Sequence, residues 1–424
     1  MEMRCNPSQL SGRINAISSK SEAHRVLICS ALSDKPTKIN CNVLSKDIEA
    51  TINCLKNMGT KITEGNGIIT VTPKPFNKET TLDCFESGST LRFLLPLVSA
   101  LGMDATFNGQ GRLPERPISP LKEEIEKKGV VFQTGSKFPL RLTGKLQAGE
   151  YEIAGNISSQ FITGLLFALP LLDGDSKIKL IPPIESKSYL DITVSVLQKF
   201  GIEIEKSENT YILKGNQKYV SPEEITIEGD WSNSAFFLCA GALSKEGITV
   251  SGLDVNSPQG DKKILEVLRR MGAQVTVEGN DITVKKNRLF GTIVDARDVP
   301  DLVPIISVLG ACCEKGTTHI INGSRLRLKE SDRIKSTFNM LDRVGVAVSE
   351  TDDGLVIWSD NEMVGKVVEG YNDHRIVMSA AILSSECVLP VDITDYNAVE
   401  KSYPHFFEDF NRLGGNANVI NDGE

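Results

Sequence analysis

Residues 54–62 read CLKNMGTKI, a helix-patterned run closed by an apolar residue and Gly59, then a β-patterned stretch. The same phrase returns as EIEKKGVVF, VLQKFGIEI, VLRRMGAQV, MLDRVGVAV and DFNRLGGNANVI, with glycines at 129, 201, 272, 345 and 414. The intervals are 70, 72, 71, 73 and 69 residues, so six units of about 71 residues account for the 424-residue chain. Each glycine fits the left-handed position that ends a helix. In several units a hairpin follows, as in KITEGNGIITV (61–71).

Each unit carries a second, more apolar helix candidate upstream: KSEAHRVLICSAL, STLRFLLPLVSAL, SSQFITGLLFALPLL, SNSAFFLCAGAL, DLVPIISVLGACC and DHRIVMSAAIL. These are apolar nearly all round, which predicts burial at a domain centre. The unit reads as strand, buried helix, strand, outer helix, hairpin. A chain this long is expected to form two domains of roughly 200 residues, and three units closed around their buried helices make each one. The fold class is therefore α/β (α+β), two similar domains of three βαβαββ-type repeats.

The starts of the buried helices decide the chemistry. Spacing places them at Ser21, Ser89, Ser159, Ser232, Asp301 and Asp373, all residue types that cap helices. Arg25, Arg92 and Arg375 lie close to three of these starts, with Lys20 before one, and each opposes the helix dipole. Arg116, Arg333 and Lys401 lead into the second helices of units two, five and six, whereas Asp47, Asp191 and Asp261 occupy that place in units one, three and four as ordinary caps. Cations gathered at helix starts in a chain of net charge -8 point to a small, highly anionic ligand. That net charge argues against an extended nucleic-acid surface.

Nine cysteines without a CxxC pair predict a reducing compartment and no disulfide framework or zinc site. The longest apolar stretches, near 161–172 and 302–313, are too short to cross a bilayer, and the N-terminus lacks a signal-peptide core. A cytoplasmic protein with no membrane partner is expected.

At these residues the chain resembles the 3-phosphoshikimate 1-carboxyvinyltransferase (5-enolpyruvylshikimate-3-phosphate synthase) family. The resemblance runs nearly end to end through SKSEAHR (19–25), SGSTLR (87–92), LPERPI (113–118), SSQF (158–161), LRLKESDR (326–333), NDHR (372–375) and EKSYP (400–404). It implies an inverted α/β barrel in each domain, one made of residues 1–18 and 228–424, the other of 19–227, with the active site in the cleft between them. It also implies transfer of the enolpyruvyl group of phosphoenolpyruvate to the 5-hydroxyl of shikimate 3-phosphate by addition and elimination of phosphate. No metal or organic cofactor is implied, and a monomer is expected.

Carried over by position, Lys20, Ser21, Arg25, Ser158, Ser159, Gln160, Ser186 and Tyr189 resemble ligands of shikimate 3-phosphate, with Lys20 and Gln160 shared with phosphoenolpyruvate. Arg116, Arg333, Arg375 and Lys401 resemble the phosphoenolpyruvate clamp, which Gly88 borders where a side chain would crowd it. Asp301 resembles the base that takes the hydroxyl proton, Lys329 a substrate ligand beside it, and Glu330 the acid that protonates the methylene carbon. Retention of Gly88 implies competitive inhibition by glyphosate. Two places depart from common family patterns: the pair Glu86 and Ser87 stands where many members carry Asn-Ala or Asn-Ser, and Arg325 where an Asn often contacts substrate. The alternative within the same fold class is UDP-N-acetylglucosamine 1-carboxyvinyltransferase, whose catalytic loop normally carries a Cys where this chain reads GQGRLPERPISP.

Overall fold

The computed structural model describes residues 1–297, 299–359 and 362–420. The chain divides into two compact units, Met1–Ile17 with Glu228–Glu424, and Ser18–Ile227. Among the described residues there are six four-stranded sheets, three in each unit, and all repeat one pattern. In the second repeat, Glu79–Asp83 runs parallel to Asp104–Asn108, which pairs antiparallel with Leu140–Thr143, which pairs antiparallel with Val131–Phe132. Burial alternates along Glu79–Asp83, with Thr80 and Leu82 inward, as the two-residue period of a half-buried strand requires.

All six repeat glycines have positive φ, from 77° at Gly201 to 115° at Gly59. The hairpin Lys61–Gly65 to Ile68–Thr72 turns through Asn66 and Gly67, both at positive φ, the geometry an Asn-Gly turn favours. Chain ends are exchanged between repeats. The first strand of the fourth repeat is Gly12–Asn15, paired parallel with Ile248–Ser251, and the sixth sheet takes Glu2–Asn6 between Val391–Ile393 and Asn416–Ile420. Arg4 secures that insertion with two hydrogen bonds of 2.8 Å to the Asp392 carboxylate.

The apolar helices are interior. In the Met1–Ile17/Glu228–Glu424 unit, Trp231–Leu243, Val303–Ala311 and His374–Ser384 pack on one another. In the Ser18–Ile227 unit, Gly88–Ala100 lies against Ser159–Ala168, while Lys20–Leu32 packs on the outer helices Lys46–Asn57 and Lys187–Lys199. Gly164 sets the approach of the first pair. A Cβ there would overlap the Arg92 carbonyl oxygen and lie 2.9 Å from Pro96 Cγ. Helices inside and sheets outside make each unit an inverted α/β barrel. Among the described residues no helix is long and apolar enough to cross a membrane.

The caps fall one or two residues earlier than the spacing predicts. Ser19, Ser87, Ser158 and Asp230 accept from first-turn amides in place of Ser21, Ser89, Ser159 and Ser232, while Asp373 caps as expected. Asp301 sits inside the 3-10 turn Pro300–Leu302 instead of at a cap. The last residue with extended backbone becomes the cap, and adjacent serines leave spacing unable to choose between them.

Candidate functional site

Two clusters of cations result, one in each unit. In Ser18–Ile227, Arg25 is buried beneath its own helix start. Its Nε donates to Thr193 Oγ1 at 2.8 Å, Nη1 to the Ser21 carbonyl at 2.6 Å and Nη2 to the Tyr189 carbonyl at 3.1 Å. Burial pushes its pKa down to about 10, yet it stays charged at neutral pH. Ser21 and Tyr189 are thus joined to Arg25, both through main-chain oxygens. Ser186 begins the same Lys187–Lys199 segment from a left-handed backbone (φ 53°), unusual for a residue with a Cβ, and is itself buried. Lys20 extends to Asp47 Oδ2 at 2.9 Å.

Gln160 connects the next two helix starts. Ser158 caps its helix, so Gln160 lies in the first turn, where its Oε1 accepts from Arg92 Nη1 at 2.6 Å and its Nε2 donates to Ser89 Oγ at 2.8 Å. Arg92 also donates to the Pro117 carbonyl at 3.0 Å, the residue after Arg116. Gly88 begins the adjoining helix. A Cβ on it would stand 2.9 Å from both Arg92 Nη1 and Arg116 Nη1, so a side chain there would push one or both guanidinium groups away from this helix start. Ser159 is the first residue of its helix and is half-buried.

In the other unit, the centre is Arg333, the first residue of the Arg333–Arg343 helix behind the Asp332 cap. Its buried guanidinium donates to Asp301 Oδ1 at 2.6 Å, Glu330 Oε2 at 2.7 Å and Asp373 Oδ2 at 2.9 Å. Arg375 reaches Asp301 Oδ2 at 3.7 Å and donates from Nη1 to the Ser232 carbonyl at 3.0 Å. Burial by itself would push the Asp301 carboxyl up, but Lys329, Arg333 and Arg375 together hold it well below the usual carboxylate range. Burial, with Arg325 and Arg333 nearby, pushes Lys329 down to about 8 against the pull of Asp301. Lys401 donates to the Asn372 carbonyl at 2.6 Å. Tyr371 and Asn372, both left-handed, shape that loop ahead of Arg375.

The expected residues of each unit therefore gather within that unit, but by routes that motif reading did not show. Of the three cations expected to lead into second helices, Arg333 is the one that occupies a helix start. Arg116 follows the 3-10 turn Leu113–Glu115, and Lys401 ends the turn Tyr396–Lys401, each five residues ahead of its helix. The three aspartates expected as ordinary caps are not caps. Asp47 lies in the first turn behind the Ser45 cap and pairs with Lys20, Asp191 lies within Lys187–Lys199 and pairs with Lys206, and Asp261 is buried in the turn Gly260–Lys263. Sequence reading also missed a buried line of hydrogen bonds from His24 through Thr51 and Thr90 to Ser87, with steps of 2.7, 2.7 and 2.8 Å, which ties three helices together. Among the described residues no group of three or more His, Cys, Asp or Glu is arranged to hold a metal ion.

Comparison with known proteins adds an independent finding. The family model described as EPSP synthase (3-phosphoshikimate 1-carboxyvinyltransferase) matches residues 5–410. Curated relatives named 3-phosphoshikimate 1-carboxyvinyltransferase include one from Clostridium kluyveri, 44% identical over 414 residues and covering 97% of this chain and 96% of the relative. Another, from Clostridium novyi, is 44% identical over 422 residues, with 96% of each covered. Among solved structures, an EPSP synthase from Acinetobacter baumannii superposes with a TM-score of 0.82 at 25% identity, covering 99% of this chain and 100% of that one.

Proposed function

We propose a division of labour for these residues from one premise: the chain belongs to the EPSP synthase (3-phosphoshikimate 1-carboxyvinyltransferase) family. The enzyme transfers the enolpyruvyl group of phosphoenolpyruvate to the 5-hydroxyl of shikimate 3-phosphate and releases phosphate, a step of the shikimate pathway towards the aromatic amino acids. The observation that carries the residue assignment is Arg333, whose guanidinium is shared by Asp301, Glu330 and Asp373 beside Arg375.

Shikimate 3-phosphate binds at the first cluster, where Lys20, Ser21, Arg25, Ser158 and Ser159 meet its phosphate and hydroxyls with Ser186 and Tyr189 along one side. Phosphoenolpyruvate takes Arg116, Lys20, Gln160 and Lys401 around its phosphate next to Gly88, and Arg333 with Arg375 at its carboxylate. Arg forks suit both groups because each matches two oxygens at once. The protein works as a monomer, and in the cytoplasm, a reducing compartment in keeping with nine free cysteines, eight of them buried. No cofactor enters the scheme.

Substrate binding itself tunes the acid and base. A carboxylate arriving at Arg333 competes with Asp301 and Glu330 for the same hydrogens, and the charge that holds Asp301 far below its usual pKa is then shared out. Asp301 becomes basic enough to take the 5-hydroxyl proton, with Lys329 beside it as a substrate ligand. Glu330, released from Arg333, carries the proton that goes to the methylene carbon. Reversal of this proton traffic expels phosphate from the tetrahedral intermediate.

The test is inorganic phosphate released from phosphoenolpyruvate by the purified chain. Release must depend on shikimate 3-phosphate and not on UDP-N-acetylglucosamine, and Asp301→Asn should lower kcat by about 10²–10⁴-fold, the span of general-base catalysis. Release with the nucleotide sugar would overturn the substrate assignment. A fully active Asp301→Asn enzyme would overturn the base.

A further inference from the structure

Asp261 is 4% exposed, and its Oδ1 has no hydrogen bond of ordinary geometry, nor do the nearby Ser232 Oγ and Arg375 Nε. The Ser232 hydroxyl favours the charged form of this carboxyl, but the cost of burial outweighs it. The turn that carries it is firmly held. Gln259 accepts from Trp231 N at 3.1 Å and donates to the Gly229 carbonyl at 2.9 Å, which fastens Gly260–Lys263 to the start of the Trp231–Leu243 helix. The Ser232 carbonyl at that same start receives Arg375 Nη1, and Arg375 Nη2 faces Asp301. Arg375 thus lies among Asp261, Asp301 and the Ser232 peptide.

We propose that Asp261 is a positioning residue for Arg375: it takes up a proton from solvent as the carboxylate of phosphoenolpyruvate docks on that guanidinium, coupling substrate binding to protonation of this buried carboxyl. Without substrate, the Ser232 hydroxyl and then the Arg375 cation favour the Asp261 anion, while burial, Asp301 and Asp230 oppose it. A third carboxylate on Arg375 divides that single positive charge further, and the least solvated of the competing anions is the one that protonates. Burial first, then Asp301, has already pushed Asp261 up to about 7, so the change lies at working pH. Other charges nearby are committed elsewhere. Lys262 of the same turn donates to the Val255 and Ser257 carbonyls, and Arg270 of the adjoining Ile264–Arg270 helix donates to the Ile293 carbonyl.

This rests on the assignment of Arg375 to phosphoenolpyruvate, and the experiment separates the two. KM for phosphoenolpyruvate is measured at saturating shikimate 3-phosphate from pH 6 to 9 for the wild type and for Asp261→Asn, which mimics the protonated acid. The wild-type KM is expected to rise roughly tenfold per pH unit above about 7, as one coupled proton requires. Asp261→Asn should match the wild type near pH 6 and lose that rise, and Asp261→Glu should restore it. Both enzymes meet the same ionisation of substrate, so the difference between the profiles belongs to Asp261. A wild-type KM that is flat above pH 7 overturns the proposal even if Asp261→Asn does not fold, and superimposable profiles for the two enzymes overturn it as well. An Arg375→Gln enzyme with unchanged KM removes the assignment on which it rests.

Discussion

At the residue scale, Lys329 gives a pH signature that a surface lysine does not. Burial disfavours its ammonium, Arg325 and Arg333 repel it, and the Asp301 charge restores only part, which leaves it titrating at about 8. It therefore loses its proton as pH rises through that value, roughly two units before an ordinary lysine. Profiles of kcat/KM for shikimate 3-phosphate, which report the free enzyme, should fall on the alkaline side near pH 8. The limb in kcat should sit higher, because a bound phosphate favours the charged form. Lys329→Arg should remove the limb, and a wild-type kcat/KM that holds steady to pH 10 would refute the assignment. The motif LRLKESDR places Lys329, Glu330 and Arg333 in one segment, so their proximity is legible in the sequence. That Asp373, forty residues on, shares Arg333 with them is not, nor is the burial of Asp261, because both depend on which turns the packing brings together.

At the scale of elements, the repeat glycines, the hairpin turns and the all-apolar helices follow from local rules, so the layered repeat is readable without coordinates. What local rules miss is close approach. Gly164 sits in mid-helix, where propensity alone favours alanine by about 1 kcal/mol. Its Cβ would overlap the Arg92 carbonyl oxygen and press on Pro96, so packing reverses that sign. Gly164→Ala is expected to destabilise the chain by roughly 1–3 kcal/mol, the usual cost of overpacking, and to lower its thermal midpoint. It should also raise KM for phosphoenolpyruvate, since Arg92 holds Gln160 and sits beside Gly88. A variant as stable as the wild type, or more so, would show that the helix pair yields at no cost.

At the scale of the molecule, the six-fold repeat was countable, but the chain's return was not. Glu2–Asn6 pairs with Val391–Ile393, a strand nearly 390 residues away, sealed by the Arg4 to Asp392 pair, and no periodicity records a pairing of that separation. The same division distributes the cations. Lys20, Arg25, Arg92 and Arg116 belong to Ser18–Ile227, and Lys329, Arg333, Arg375 and Lys401 belong to the other unit. Two sets of like charge repel, and each is partly satisfied by its own unit, as Lys20 is by Asp47 and Arg333 by three carboxylates. A multiply charged ligand that needs both sets changes this balance, because it supplies the negative charge that lets them converge. Shikimate 3-phosphate is therefore expected to draw the units together, with a measurable fall in the radius of gyration by small-angle X-ray scattering. The contraction should weaken as salt is raised, since screening reduces both the repulsion without ligand and the attraction with it. Identical scattering with and without saturating shikimate 3-phosphate would mean that the two sets of cations do not close on one ligand.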